Sequence, residues 1–328
     1  ITLTQEQRAQ LNAISGTGNV TVQMADASNQ LINFNYDLVN NQVSFNDITL
    51  KELPGSDNDI VVANASTTTT IDGRNIAIKG ANDAANPRTV GATVTSTNGQ
   101  VGIGDNVSME KAVTVTGQAT QTVDPATPPT GQAYTRTTYN TYNNSNEQAV
   151  VLGNNVTMQD TVTATGQIVS DPASKVALNG DVTSTAGIGT TEQFDASNTQ
   201  TGKTVIDSMD DSVSGGIILG ETTAGAVTLK TEGGNISLGD NSILDGTTVS
   251  AESADLNKTV YSNDGGSWNT IASTEKLGTI EGSVTLGENT TVKGNSTLTA
   301  DDNIAIGNNS VITGNTAADG VISAGGQI

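Results

Sequence analysis

Three pairs of neighbouring carboxylates are the groups in this sequence whose type and spacing suggest chemistry. The pairs are Asp57 with Asp59, Asp210 with Asp211, and Asp301 with Asp302. Two carboxylates on one groove can serve as the acid and the base of polysaccharide cleavage. With amide and carbonyl oxygens, carboxylates can also bind Ca²⁺. The pairs therefore suggest two hypotheses, a polysaccharide lyase or hydrolase and a calcium-binding protein.

The remaining composition argues against catalysis. The 328 residues include no His and no Cys, which excludes Ser-His-Asp triads, thiol chemistry and thiolate metal sites. No Arg or Lys lies beside a carboxylate pair, and one Trp and five Tyr leave few rings on which a sugar could stack. We therefore predict that the protein is not an enzyme and has no cofactor apart from candidate calcium. The candidate calcium ligands are Asp57, Asp59, Asp301 and Asp302, with solvated turns as the alternative, since no stretch has the ligand spacing of a twelve-residue calcium loop.

The charge of the chain excludes nucleic acid and anionic membranes as partners. The chain has 34 acidic and 13 basic residues, a formal net charge of −21, and its basic residues are scattered singly. Binding to phosphates requires clustered Lys or Arg. No apolar run is long enough to span a bilayer, so membrane insertion is not expected. The first residue is Ile1 rather than Met, which is typical of an extracellular protein with a cleaved signal peptide; an artificially shortened chain is the alternative.

A repeated unit about one β-solenoid turn long organises the chain. The triplets Gly287-Glu-Asn and Gly307-Asn-Asn stand at an offset of 20, each between short stretches of alternating apolar residues. Residues 102–118 match residues 151–167 without a gap, with nine identities at an offset of 49. From Gly220 onward the signature recurs at offsets of 19, 48 and 20, and we interpret the step of 48 as two turns plus an excursion. This repeat, with 36 Gly against 3 Phe, predicts an all-β parallel solenoid whose core is one side chain deep.

The solenoid is predicted to occupy residues 60–328, with loop excursions near 119–149 and 259–272. Residues 1–59 are predicted to form a small N-terminal cap. Its helix is expected over Thr4–Ile14, which has a capping box and a Ser-Gly stop, and short alternating strands follow. Two stacked β-sandwich domains are the alternative, and antiparallel pairing of Val284–Leu286 with Ile304–Ile306 would favour them.

Two local expectations accompany the repeat. In each Gly-Asp/Asn-Asn corner the Gly is expected to adopt a positive φ, and the Asn side chains are expected to form a hydrogen-bonded ladder between turns. In the second excursion, the sequence Asn263-Asp-Gly-Gly266 is typical of a hairpin turn that would place Tyr261 opposite Trp268.

Several segments resemble known bacterial surface proteins. Residues 234–243 and 303–311 resemble the turns of filamentous-haemagglutinin-type adhesins, and residues 3–11 and 16–22 are similar to segments of surface-layer and repeat-rich exported proteins. The resemblance implies a bacterial surface or secreted β-solenoid protein. With the composition, it predicts a non-catalytic extracellular structural protein, a self-assembling subunit of a surface filament, fibre or surface layer. An adhesin that binds a glycan or a host protein is the first alternative, and a polysaccharide lyase or hydrolase is the second.

Copies of the chain are predicted to join head to tail into a homopolymer, because the final strand has no Pro or charge run to protect its edge. The residues expected at this contact are Ile1 and Leu3 at one end, and Val321, Ile322 and Ile328 at the other. For an adhesin, the expected surface for a glycan is the excursion that carries Tyr134, Tyr139 and Tyr142.

Overall fold

The computed structural model describes main chain and side chains for residues 70–97, 99–117, 148–187, 214–255, 278–314 and 322–328, and the main chain alone for further strands. The regular elements in these parts of the chain are all β-strands, β1 to β36. Three of the sheets are parallel and one is antiparallel. The protein is therefore an all-β parallel solenoid, as the repeat predicts. The helix expected over Thr4–Ile14 lies outside the described residues.

Sheet A has twelve parallel strands. In order across the sheet they are β1 (Thr2–Leu3), β2 (Asn19–Met24), β4 (Asp47–Lys51), β6 (Thr70–Gly73), β9 (Thr93–Thr97), β12 (Val113–Thr116), β17 (Val162–Thr165), β20 (Val182–Thr185), β25 (Thr228–Glu232), β28 (Thr248–Glu252), β33 (Thr297–Ala300) and β36 (Ile322–Ala324).

Sheets B and C have ten and eight parallel strands. The strands of sheet B are β3 (Ile32–Phe34), β5 (Asp59–Val62), β7 (Asn75–Ile78), β10 (Val101–Ile103), β15 (Gln148–Leu152), β18 (Gln167–Ser170), β23 (Gly215–Leu219), β26 (Gly234–Leu238), β31 (Val284–Leu286) and β34 (Ile304–Ile306). The strands of sheet C are β8 (Arg88–Val90), β11 (Val107–Met109), β16 (Val156–Met158), β19 (Lys175–Leu178), β24 (Glu221–Ala224), β27 (Ile243–Asp245), β32 (Thr291–Lys293) and β35 (Val311–Ile312).

One turn of the solenoid takes one strand from each of sheets B, C and A. Each strand pairs in parallel with the corresponding strand of the next turn, so that Ile217 pairs with Ile236. Val284–Leu286 pairs in the same parallel way with Ile304–Ile306. The short repeat that ends the chain is thus confirmed as one turn, and the two-sandwich alternative is excluded.

The core is a single layer of inward-facing side chains. From β6 to β33 of sheet A one inward row is at most 1% exposed, and it consists of Ile71, Val94, Val113, Val162, Val182, Leu229, Val249 and Leu298. Val and Ile dominate because β-branched side chains pack well on a pleated surface. Buried hydroxyls are hydrogen-bonded: Ser184 Oγ donates to the Gly166 carbonyl over 2.7 Å and accepts from the Gly216 N–H over 2.7 Å.

At the corners the Asn, and not the Gly, adopts the positive φ. The angle is 57° at both Asn106 and Asn155, and 56° at Asn289, so the expectation for the Gly is wrong. Asn tolerates this left-handed backbone because its short polar side chain can bond locally. The expected Asn ladder is confirmed at one step, where Asn155 Nδ2 donates to Asn106 Oδ1 over 3.0 Å.

The corner Gly is required instead because neighbouring turns touch at this position. A Cβ on Gly287 would lie 2.5 Å from the main-chain nitrogen of Asp240, and one on Gly307 would lie 2.5 Å from the carbonyl carbon of Gly287. Real Cβ atoms do not approach main chain so closely. Gly is therefore required at this corner because the preceding turn leaves no room for a Cβ, and not because of its backbone angle.

Three excursions interrupt the turns, and all leave at the corner between sheets A and B. They follow β12, β20 and β28, which are every second strand of sheet A. Each excursion is an antiparallel hairpin, and the three hairpins pair side by side as a six-stranded antiparallel sheet, hereafter the hairpin sheet. Its strands are β13 (Ala119–Asp124), β14 (Thr135–Tyr142), β21 (Gly187–Asp195), β22 (Gly202–Val213), β29 (Ala254–Asp264) and β30 (Ser267–Ile280).

The spacing of the hairpins fits their width. Adjacent strands lie about 4.8 Å apart, so two solenoid turns advance by about 9.6 Å, which is also the width of a two-stranded hairpin. The registers agree with this, because Tyr139 pairs with Thr191 and Ile206 pairs with Lys258. The hairpins can therefore form one continuous sheet alongside the solenoid.

The excursions differ in detail from the sequence expectations. Those near 119–149 and 259–272 contain paired strands rather than loops, and a third, over 187–213, has no counterpart in the prediction. The long step from Gly239 to Gly287 is one turn plus a hairpin, and not two turns, because Ile236 pairs directly with Val284. The hairpin around residue 265 is confirmed, but Trp268 pairs with Asn263 rather than with Tyr261.

Candidate functional site

The structure places the three carboxylate pairs in different parts of the fold. Asp59 begins β5 in sheet B, and Asp57 lies outside the described residues. Asp210 and Asp211 lie in β22, where the register with β21 is irregular. Asp301 and Asp302 follow β33, at the corner between sheets A and B. The described members are thus not brought together as one set of acid and base.

The carboxylates of Asp301 and Asp302 accept hydrogen bonds from the preceding turn and from the adjacent Asn303. Asp301 Oδ2 accepts the N–H of Ser253 over 2.8 Å. Asp302 Oδ2 accepts Ser283 Oγ over 2.9 Å and Asn303 Nδ2 over 2.7 Å. Among the described residues no group of three or more His, Cys, Asp or Glu could hold a metal ion. Calcium at Asp301, Asp302, Asp57 or Asp59 stays a prediction.

Other corner carboxylates bond across turns in the same way. Asp105 Oδ1 accepts the N–H of Asn154 over 2.8 Å, and Asp240 Oδ1 accepts the N–H of Glu288 over 2.7 Å. In both cases the donor is the corresponding residue of the next turn. The acidic corners therefore supply hydrogen bonds that hold successive turns together.

A cleft of about 390 Å³ lies where the third hairpin returns to sheet B. Its lining includes Gln167, Ile218, Asn235, Thr279 and Glu281. Glu281 contributes the one carboxylate among the described lining residues. Glycoside cleavage requires two, and the described lining of this cleft supplies one.

The residues predicted to join copies are only partly described. Leu3 lies in β1 and pairs with Met24 in β2. Ile322 in β36 is half-buried and pairs with Leu298, and Ile328 is 74% exposed. Ile1 and Val321 lie outside the described residues.

The last described turn presents apolar side chains that the sequence prediction did not include. Val311 and Ile312 in β35 are 51% and 49% exposed. Ile312 continues the inward-facing row of sheet C through Val292 and Leu244, which are buried. Among the described strands, β34, β35 and β36 each pair on one side only. A core row therefore reaches the surface at this turn.

Two of the three predicted glycan-contacting tyrosines lie within a strand. Tyr139 in β14 pairs with Thr122 of its own hairpin and with Thr191 of the next. Tyr142 ends the same strand. Tyr134 lies outside the described residues. The segment from Thr135 to Tyr142 is thus the inner strand of a hairpin and not the loop that the adhesin hypothesis assumes.

One further surface stands out by its uniform composition, the outward face of sheet A over β9, β12, β17 and β20. All nine outward positions of these four strands are threonines, here named the threonine face: Thr93, Thr95, Thr97, Thr114, Thr116, Thr163, Thr165, Thr183 and Thr185. In the same turns the outward row of sheet C is Thr89, Ser108, Thr157 and Ala177, and that of sheet B is Ala77, Gly102, Val151 and Val169. The strand preference of Thr alone would not confine it to one of three faces. The sequence signal was Thr at every second position, which becomes a surface only once the register is known.

The threonine face ends at a cluster of charged residues. In β25 and β28 the corresponding outward positions include Lys230, Glu232 and Glu252. Lys230 Nζ lies 2.9 Å from Glu232 Oε1 and 3.2 Å from Glu252 Oε2. Hydrogen bonds to Glu232 and then to Glu252 raise the pKa of Lys230 above its ordinary value. The ion pairs connect two adjacent turns.

The part of the chain that the structure describes contains no helix long and apolar enough to cross a membrane. A scan against protein-family models, a search of the curated proteins and a search of the solved structures find no match to this chain. The resemblance to filamentous-haemagglutinin-type adhesins therefore stays a prediction.

Proposed function

We propose that this chain is a non-catalytic structural protein of the cell exterior, a subunit that assembles with copies of itself into a filament, fibre or surface layer. The observation that carries the proposal is which groups the carboxylates at the corners bind. Corner carboxylates such as Asp105 and Asp240 bond to the next turn instead of converging on a cleft. A chain so organised supplies a rigid stack of strands and not a reaction site.

Assembly is supported by the apolar end of the last described turn. Val311 and Ile312 are about half exposed there, and the strand edges of β34, β35 and β36 pair on one side among the described strands. A parallel strand from a second copy would bury Ile312 and satisfy the exposed main-chain groups of the edge. Pairing of this turn with the N-terminal strands of a neighbour is a head-to-tail contact, which produces an open fibre when the rotation between copies does not close a ring.

An extracellular location belongs to the same proposal. It is supported by the absence of Cys, the net charge of −21 and the resemblance of residues 234–243 and 303–311 to adhesin turns. The non-enzymatic role is supported by the absence of His and Cys from the sequence. Incubation with acidic polysaccharides tests it, and cleavage that disappears in Asp301→Asn or Asp210→Asn would establish an enzyme instead.

Light scattering and negative-stain microscopy of the untreated protein test assembly. We expect elongated polymers whose length falls in Ile312→Asp, because a carboxylate at this edge would be buried without a partner. The matched control is Ile243→Asp in the middle of sheet C, where Ile243 is 38% exposed and faces outward between two paired strands. This variant should assemble normally. A monodisperse monomer at every salt concentration would refute the proposal, and glycan binding by that monomer would support the adhesin.

A further inference from the structure

The threonine face combines regularity with a lack of charge. The chain has 34 acidic and 13 basic residues, yet the nine outward positions of β9, β12, β17 and β20 contain none of them. Among the nine, Thr185 Oγ1 donates to the Ala164 carbonyl over 3.4 Å and Thr165 also has a partner; within the described part of the chain the other side chains make no hydrogen bond. The other hydroxyls are available to whatever covers the face.

The geometry of the face is that of a regular two-dimensional lattice. Strands are about 4.8 Å apart, and alternate residues along a strand are about 6.6 Å apart. The pairing is in register over all four strands, since Thr95 pairs with Thr114, Thr114 with Thr163, and Thr163 with Thr183. Threonine side chains are stiff about χ1, so the hydroxyl and methyl groups are held in these rows before any partner binds.

A lattice of this kind is best matched by a partner with the same two repeats. Each hydroxyl donates one hydrogen bond and accepts two, and the methyl groups between the rows leave channels in which water can be ordered. The two spacings are close to those at which oxygen atoms recur on the surface of hexagonal ice. We propose that the threonine face binds ice, by holding ordered water between its rows in positions that continue the crystal.

Two other occupants fit the face less well. A crystalline polysaccharide would be expected to stack on aromatic rings, and these nine positions include none. A protein partner would be anchored by Trp, Tyr or Arg, which are equally absent from them. The inference does not depend on the proposed assembly, because a single copy already presents all four strands.

Ice affinity is measured by growing ice slowly from a solution of the fluorescently labelled chain and comparing its concentration in ice and in liquid. We expect the protein to enter the ice and to give crystals flat facets. The double variant Thr114→Tyr/Thr163→Tyr should be excluded from the ice, because its rings break the lattice while Tyr retains a high strand preference. The matched control is Thr157→Tyr, which faces outward from sheet C in the same turn as Thr163 and should enter the ice like the unchanged protein.

A more conservative variant tests whether unfolding explains the effect of the Tyr substitutions. Thr114→Val/Thr163→Val keeps the shape and the methyl groups of the face and removes two hydroxyls, so its partition into ice should fall while its circular dichroism is unchanged. Exclusion of the unchanged protein from ice would overturn the inference. So would equal incorporation of the unchanged protein and the Thr114→Tyr/Thr163→Tyr variant.

Discussion

Replacing Gly287 with Ala is expected to separate two turns of the solenoid at one corner. The new Cβ would lie 2.5 Å from the main-chain nitrogen of Asp240 and 2.6 Å from the carbonyl carbon of Gly239, whereas ordinary contacts begin at 3.4 Å. The turns must therefore move apart locally by about 0.9 Å. The Gly287 N–H donates to the Leu238 carbonyl over 2.8 Å, and a movement of that size would stretch this bond beyond the usual range.

The free energy of unfolding should fall by about 2 kcal/mol in Gly287→Ala. A lost main-chain hydrogen bond costs about 1 kcal/mol, and overpacking costs roughly 1–3 kcal/mol. The lower conformational entropy of Ala in the unfolded chain offsets about 0.5 kcal/mol of this. Backbone strain does not contribute, because the φ of Gly287 lies outside the left-handed region.

The matched control is Gly225→Ala, because a Cβ at Gly225 would meet nothing within 4 Å. It changes the unfolded chain in the same way and should stabilise the protein by roughly 0.4–1 kcal/mol. Urea unfolding followed by circular dichroism measures the difference, and amide hydrogen exchange around Leu238 and Glu288 shows whether the opening is local. Equal stability of the two variants would refute the explanation of the corner Gly by contact between turns.

Three further predictions concern the corners, the ion pairs and the charge. Asn289 has a φ of 56°, so Asn289→Gly should be tolerated, whereas Asn289→Val should lower the free energy of unfolding by about 1–2 kcal/mol. Similar urea midpoints for the two variants would contradict this. Lys230→Gln should cost less than about 1 kcal/mol. The folded-state pKa of Lys230 is raised, so the stability difference between the variant and the unchanged protein should be present at pH 7 and disappear above both the unfolded and the folded pKa of Lys230. Urea titrations that still differ at that high pH would contradict the pairing with Glu232 and Glu252. Assembly should increase with NaCl, because each copy carries a net charge of −21 and salt screens the repulsion between copies. Light scattering in CaCl₂ of equal ionic strength tests the predicted calcium sites. Equal scattering in both salts would contradict those sites.

The parallel stack could be predicted from the sequence because its signal is local and recurs. The match of residues 102–118 with 151–167 became the pairing of Val113 with Val162 and of Met109 with Met158. Alternation within each short strand identified the inward side without knowledge of the neighbouring turns. The excursion between these two copies could also be located, since the inserted segment lies between two corresponding turns.

The hairpin sheet could not be predicted, because the information for it is not local. Tyr139 pairs with Thr191 of a different hairpin, and the excursions share no repeated motif that would mark them as neighbours. The corner Gly was misinterpreted for a similar reason. Both Gly and Asn accept a positive φ, and only the main chain of Asp240, one turn earlier, shows why Gly287 must lack a Cβ.

The equality between two solenoid turns and the width of one hairpin limits how such a chain can lengthen during evolution. Deleting a single plain turn would place two hairpins on adjacent turns, where about 4.8 Å is available for a hairpin that needs about 9.6 Å. Adding a single turn would leave a gap of one strand in the hairpin sheet. Duplication of a gene segment that encodes two turns and one hairpin preserves both the stack of turns and the hairpin sheet. Length variants of this protein should therefore differ by whole units of this size.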